Sequence, residues 1–163
     1  MAQVQKTSRV EVVVDAAAHL VWEVVADVTR VGEWSHECRS ARWLDGDGRA
    51  RPGARFRGRN RAGRARWSRT AEIVSVDPPH EIVWRTVPTW IVPDSTVWRI
   101  RVDPVVGGTR IRQSFDVVAA PWLLDRFFAR VLPAHRDRDA RLVEDLRRIG
   151  RVASREAAPW TGA

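Results

Sequence analysis

The segment Thr96–Val118, TVWRIRVDPVVGGTRIRQSFDVV, decides the fold because apolar and charged side chains alternate on both sides of a Gly107-Gly108 turn. The apolar positions before the turn are Trp98, Ile100 and Val102, and those after it are Ile111, Phe115 and Val117. A period of two with one apolar face is typical of antiparallel strands that cover a core on one side. The segment therefore predicts a β-hairpin with one buried face and one wet face.

The same period recurs upstream, in short segments separated by Gly, Pro, Asp and Asn. Such spacing indicates an antiparallel meander. The predicted strands are Val10–Val14, Ser40–Leu44, Ala54–Asn60, Arg66–Val76, Glu81–Val87, Thr96–Val102 and Thr109–Val118. The inward phase of Arg66–Val76 stays open, since either Trp67 and Arg69 or Thr70, Val74 and Val76 could face the core.

Two helical regions flank the meander. Apolar residues at helical spacing from Ala17 to Val28, followed by a turn near Glu33, predict two short helices between the first two strands. Apolar residues from Leu124 to Ile149 predict a long C-terminal helix that Pro133 kinks.

This order of elements contains no βαβ alternation, which argues against a doubly wound sheet. We expect an α+β fold in which a seven-stranded antiparallel sheet wraps around the long C-terminal helix. Residues 1–153 should form a single domain, and residues 154–163, which carry no period, a frayed tail.

Composition narrows the class of protein. The N-terminal segment lacks the apolar run of a signal peptide, and no stretch is long enough to span a membrane, so we expect a cytoplasmic location. The single cysteine, Cys38, allows no intramolecular disulfide and no paired-cysteine zinc site. His36 lies two residues before Cys38, but no second His stands at the spacing of a zinc site. We therefore expect no metal and no cofactor, and we expect His36 and Cys38 only at the rim of a cavity.

The chain is strongly basic, with a net charge of +8, and all but one of its 28 lysine and arginine residues are arginine. This bias reflects either genome composition or recognition of anionic groups. The most basic stretch, Arg49–Arg69, contains aromatic residues and could bind single-stranded nucleic acid. Because arginines alternate with Ala54, Phe56, Gly58 and Asn60, an ordinary solvent-facing strand explains them better, which weighs against a nucleic-acid partner. The run from Arg136 to Asp139 is interpreted as a solvated, charge-paired face.

Polar residues on otherwise apolar faces are the best functional signals. Gln113 interrupts the face of Ile111 and Phe115, and Asn60 interrupts that of Phe56, so each binds either a ligand or neighbouring polar groups. His135 lies on the apolar stripe of the C-terminal helix and is either a packed core histidine or a catalytic acid/base.

Tryptophan is overused, with nine residues and no tyrosine. Large flat side chains suit a pocket for an apolar ligand, although they suit a plain core equally well. The proline-bounded segment Pro88–Pro93 places Trp90 and Ile91 at its tip and is a candidate entrance flap.

Four segments together resemble the SRPBCC superfamily, specifically polyketide cyclase/dehydrase-like actinobacterial proteins. They are VWEVVADVTRVGEWS, WLDGDGRARPGARFRGRN, RWSRTAEIVSVDPPHEIVWR and GGTRIRQSF. The resemblance covers roughly Arg9 to Ala153 and implies the helix-grip fold of START domains and birch-pollen-allergen relatives, with a ligand cavity between sheet and helix. It carries no invariant catalytic motif. By position, it implies these cavity candidates: Trp34, Asn60, Trp67, Arg69, Trp84, Trp98, Gln113, Phe128, Val131 and His135.

Three functions follow as hypotheses. The first is binding of a hydrophobic small molecule, such as a lipid, polyketide or isoprenoid, by a monomer or homodimer. The second is a polyketide cyclase or dehydratase, with His135 as acid/base and Arg69 or Asn60 polarising a carbonyl. The third is a module that binds a protein or RNA partner, which a cavity filled by side chains would favour.

Overall fold

The computed structural model describes residues 5–119 and 137–157. Its centre is one sheet of seven antiparallel strands in the order β1-β7-β6-β5-β4-β3-β2. The strands are β1 (Thr7–Val14), β2 (Cys38–Trp43), β3 (Arg55–Ala62), β4 (Ala65–Asp77), β5 (Glu81–Thr86), β6 (Ser95–Val105) and β7 (Gly108–Ala119). Strands β2 to β7 are neighbours in the order of the sequence. The first strand, β1, forms the edge of the sheet opposite β2 and pairs with β7.

Three helical segments accompany the sheet. They are α1 (Ala18–Ala26), a 3-10 helix (Val28–Glu33) and α2 (Asp139–Ala157). Val21, Val24 and Val25 turn the apolar face of α1 into the core. Gly32 is required where the 3-10 helix meets β2, since an added Cβ would lie 2.2 Å from the carbonyl oxygen of Arg39.

The inner face of the sheet forms the core with α1 and α2. Ile100, Ile111 and Phe115 are fully buried on β6 and β7, in the alternation that the sequence shows. Leu146 and Ile149 of α2 belong to the same core cluster as Ile100 and Ile111, and Leu142 is also buried. Gly150 lets α2 approach β1, because an added Cβ would lie 2.6 Å from the side chain of Val14.

The predicted α+β architecture is confirmed: seven antiparallel strands, short helices between the first two, and a C-terminal helix. The helix differs at its end, where it continues past the predicted limit at Ala153 to Ala157. Ser154 Oγ donates to the carbonyl oxygen of Asp15 at 2.7 Å, and Glu156 pairs with Arg30, so this last turn is fastened to the body. The predicted kink at Pro133 lies outside the described residues.

The open phase of the fourth strand has a structural answer. Trp67, Arg69, Ala71 and Ile73 face inward, and a bulge between Ile73 and Ser75 then shifts the register. Beyond the bulge Val76 packs against the core, while Val74 is exposed. Both phases therefore occur in one strand, because the extra residue of a bulge exchanges the two faces.

Candidate functional site: a cavity between sheet and helix

A cavity of about 450 Å³ lies against the inner face of the sheet, beneath α2 and the 3-10 helix. Strands β3 to β7 supply most of its described wall. Seven predicted candidates line it: Trp34, Asn60, Trp67, Arg69, Trp84, Trp98 and Gln113. The other three, Phe128, Val131 and His135, lie outside the described residues.

An aromatic wall forms where β5, β6 and β7 run side by side. Trp84 and Trp98 are direct cross-strand neighbours, and their rings stack with centroids 6.3 Å apart and an interplanar angle of 8°. Trp98 also contacts Phe115, at 4.9 Å between centroids. The stack is a flat, apolar surface of the kind that binds planar or extended hydrocarbon ligands.

Gln113 is 4% exposed on the inner face of β7, and its Oε1 atom has no hydrogen-bond partner in the described part of the chain. The indole Nε1–H of Trp34, a hydrogen-bond donor, is also buried and has no partner in the described part of the chain. A buried polar group without a partner costs about 1–3 kcal/mol. Both residues line the cavity, so a polar group of a ligand or a bound water would compensate them.

Asn60 and Trp67 are paired across β3 and β4, two residue pairs before the turn that joins these strands. Both line the cavity. Gly58, two residues before Asn60 on the same face, leaves room for Cys38, whose Sγ would lie 3.1 Å from an added Cβ. Asn60 therefore lines the cavity beside Gly58 and Cys38.

Arg69 is tied to the loop between β5 and β6. Its Nη1 donates to Asp94 Oδ1 at 2.7 Å and its Nη2 to the Asp94 carbonyl oxygen at 2.9 Å. The guanidinium predicted to polarise a ligand carbonyl is therefore occupied in fastening this loop. The same loop carries Trp90, 92% exposed, and Val92, which lines the cavity, so its place agrees with an entrance flap.

The interpretation of the run from Arg136 to Asp139 as a solvated face is wrong at Arg138, whereas Asp137 and Asp139 are exposed and Arg136 lies outside the described residues. The side chain of Arg138 is only 12% exposed, and its guanidinium lies 5.1 Å from the ring centroids of both Trp98 and Phe115. Nη2 contacts Glu37 Oε2 at 3.3 Å, whereas the buried Nε has no partner among the described residues. Burial lowers the pKa of Arg138 from its usual value, and Glu37 and Asp145 oppose that shift.

His36 and Asp145 form a second polar contact in the wall that the sequence did not reveal. The backbone N–H of His36 donates to Asp145 Oδ1 at 2.9 Å, and His36 Nδ1 lies 2.6 Å from Oδ2. Asp145 is 2% exposed, on the core-facing side of α2. A signal was available, because Arg138 and Asp145 lie four residues before and three after Leu142, on the same helical stripe.

Cys38 lies at the cavity wall, as expected of a rim residue. Burial raises the pKa of its thiol from an ordinary 9.0 to about 11. The thiol is therefore protonated near neutral pH and is a poor nucleophile. Among residues 5–119 and 137–157, no group of three or more His, Cys, Asp or Glu side chains is placed to hold a metal ion. No helix within these ranges is long and apolar enough to cross a membrane.

Solved structures show the same fold. The Zhui aromatase/cyclase from Streptomyces sp. R1128 superposes with a TM-score of 0.73 at 20% identity, covering 97% of this chain and 99% of that one. A Polyketide_cyc-like protein from Corynebacterium glutamicum has a TM-score of 0.60 at 23% identity, covering 96% of both chains. The protein Ara h 8.0201 has a TM-score of 0.60 at 12% identity, covering 91% of this chain and 97% of that one. These likenesses confirm the helix-grip fold.

No curated protein matches the sequence. The family described as polyketide cyclase / dehydrase and lipid transport matches residues 5–147, which include every described strand and most of the cavity wall. The match confirms the resemblance to SRPBCC proteins noted from the four sequence segments. The chain belongs to the polyketide cyclase / dehydrase and lipid transport family.

Proposed function

We propose that this protein binds a hydrophobic small molecule, of the lipid, polyketide or isoprenoid class, in the cavity between the sheet and α2. The observation that carries the proposal is an apolar, aromatic-walled cavity whose lining residues include buried polar atoms that have no partner among the described residues. Its volume of about 450 Å³ falls within the roughly 300–1,000 Å³ of small-molecule sites.

The cavity wall offers a ligand two kinds of contact, apolar and polar. The Trp84–Trp98 stack provides apolar area, which is the main source of affinity for such a ligand. Gln113 and Asn60 orient the ligand, since each sets a polar group into the inner face of the sheet. A few fixed polar groups in an apolar pocket are the usual basis of specificity.

A titration of tryptophan fluorescence with oleic acid, farnesol and a hydroxylated anthraquinone tests the proposal. Ala71 is 4% exposed and lines the cavity, so Ala71→Phe places a benzyl group in the ligand space. Val74→Phe is the matched control, because Val74 lies on the same strand with its side chain outward and 45% exposed.

We expect saturable binding of at least one ligand by the wild type and by Val74→Phe. Ala71→Phe should weaken that binding at least about tenfold, because overpacking the cavity opposes ligand entry by more than about 1.4 kcal/mol. Equal affinity of all three proteins, with melting temperatures that show them folded, would place the ligand elsewhere. No saturable binding to any member of the panel would refute the proposal.

A polyketide cyclase or dehydratase acting in the same cavity is the second candidate. The His36–Asp145 pair in the wall favours it, because a carboxylate is costly to bury and one that holds a histidine at the cavity suits acid/base chemistry. The third hypothesis, a partner-binding module, would be favoured by a cavity filled with side chains, and the cavity of about 450 Å³ does not supply that support. The cytoplasmic location, the monomeric or dimeric state and the role of His135 stay predictions.

A further inference from the structure

A carboxylate stands where α2 would be expected to carry an apolar residue. Leu142, Leu146 and Ile149 form the core-facing stripe of the helix, and Asp145 lies among them at 2% exposure. Carboxylates are almost never so buried unless they are paired. Asp145 is paired with His36, through both the backbone N–H and the ring nitrogen Nδ1.

This pairing defines the orientation of the imidazole. With Asp145 as a carboxylate, Oδ2 accepts the Nδ1–H of His36 across 2.6 Å. The second ring nitrogen, Nε2, then carries the lone pair, and no described residue contacts it through a hydrogen bond. His36 lines the cavity, so Nε2 is the nitrogen available to a ligand there. A histidine oriented by a carboxylate through its other nitrogen is the arrangement of a general base.

The charges that surround the pair come from two elements. Arg138, which precedes α2, and Glu37, which follows His36, are ion-paired at 3.3 Å in the same wall. Arg148 approaches Asp145 Oδ1 at 3.9 Å from the next turn of α2. The wall also holds two buried donors without described partners, Trp34 Nε1 and Arg138 Nε. Unpartnered donors call for an acceptor oxygen, and a carbonyl is the acceptor that an apolar ligand most simply supplies.

We propose that His36 is a catalytic acid/base for a carbonyl-bearing ligand of this cavity, with Asp145 as its positioning residue. The inference rests on the proposed function, because the ligand must enter the cavity to meet His36. It assigns the acid/base role to His36, which the sequence analysis placed only at a cavity rim, and it does not require His135.

The step is a keto–enol proton transfer. Nε2 takes a proton from the carbon next to the ligand carbonyl, and the electron pair of that C–H bond forms the carbon–carbon double bond of an enolate. The negative charge moves to the carbonyl oxygen, near the guanidinium of Arg138, and preorganised positive charge stabilises such an oxyanion. The protonated imidazole then returns the proton to carbon or to oxygen, so no oxidant or further reactant is consumed.

Hydrogen–deuterium exchange at the acidic carbon of 2-tetralone, an apolar bicyclic ketone, measures this step directly. In D₂O the wild type should accelerate exchange above the buffer rate, and His36→Gln should lower the enzymatic rate by about 10²-fold or more, the usual contribution of a general acid/base. His19→Gln is the matched control, since His19 is exposed on α1 and does not line the cavity. It should exchange as the wild type does.

Two further measurements separate catalysis from structure. Added imidazole should restore part of the exchange to His36→Gly, which a purely structural histidine would not allow. Asp145→Asn should lower the exchange rate while leaving the affinity for 2-tetralone unchanged, and it should remove the Nδ1-bonded proton signal of His36 from the nitrogen-15 spectrum. If Asp145→Asn does not fold, the rescue experiment decides alone.

The outcomes distinguish this inference from the proposed function. If 2-tetralone binds but exchanges no faster than with His36→Gln, the acid/base role is refuted and ligand binding stands. If hydrophobic ligands bind and ketones do not, the acid/base role is refuted as well. If nothing binds, the proposed function falls first.

Discussion

Replacement of Arg138 by methionine tests whether the cavity wall depends on a buried guanidinium. The side chains of Arg138 and Glu37 are 12% and 15% exposed, so removing the cation leaves a poorly solvated carboxylate. Loss of one partner from a buried ion pair costs about 3–5 kcal/mol, and the residual exposure of both groups places this pair near about 3 kcal/mol. Methionine retains apolar contact with the rings of Trp98 and Phe115, so the expected loss is mainly electrostatic.

The assay is urea unfolding followed by tryptophan fluorescence. Adding Glu37→Gln to the Arg138→Met protein should recover about 1–2 kcal/mol, because it removes a poorly solvated carboxylate that has lost its contact with Arg138. Arg51→Met is the control at an exposed pair, where Arg51 and Asp47 are 52% and 47% exposed. It should change the free energy of unfolding by less than about 1 kcal/mol. The claim that the buried Arg138–Glu37 pair stabilises the cavity wall would be refuted by either of two results. One is an Arg138→Met protein as stable as the control, and the other is no recovery of stability on adding Glu37→Gln.

Three further predictions concern packing, the thiol and the loop. Gly150→Ala should lower the free energy of unfolding by about 1–3 kcal/mol through its clash with Val14, and Val14→Ala should relieve part of that loss in the double variant. Cys38 should react slowly with iodoacetamide near pH 7 and speed up only as the pH approaches its pKa of about 11; fast reaction at pH 7 would contradict its burial. Asp94→Ala should speed chymotryptic cleavage of the 88–93 loop, and an unchanged rate would show that its ion pair does not hold the loop.

Local alternation made the sheet predictable. In a strand with one solvent-facing side, the alternation of residues along the sequence shows which side chains face the core. On β7 these are Ile111, Gln113 and Phe115. Six of the seven cavity candidates in the described chain lie on strands and line the cavity for this reason; the seventh, Trp34, follows the 3-10 helix. The bulge after Ile73 was not predictable, because it depends on how β4 fits β5 and not on the pattern of β4 alone.

The charged residues of the cavity wall were not predicted, because the two members of each pair are far apart in the sequence. Asp145 and Arg138 are 109 and 101 residues from their partners His36 and Glu37. The spacing of Arg138 and Asp145 to Leu142 indicates a shared side of the helix, but in an arginine-rich segment the same charges also fit a solvated surface. Their burial is decided only when α2 meets the segment between the 3-10 helix and β2.

The central claim, an internal site for an apolar molecule, is tested most directly by native mass spectrometry of the purified protein. Organic extraction would then identify anything carried along. We expect an added mass that is released on unfolding, extracts as an apolar small molecule and is absent from Ala71→Phe. A ligand-free mass for the wild type, together with no change in tryptophan fluorescence on adding any of the hydrophobic ligands, would contradict the claim.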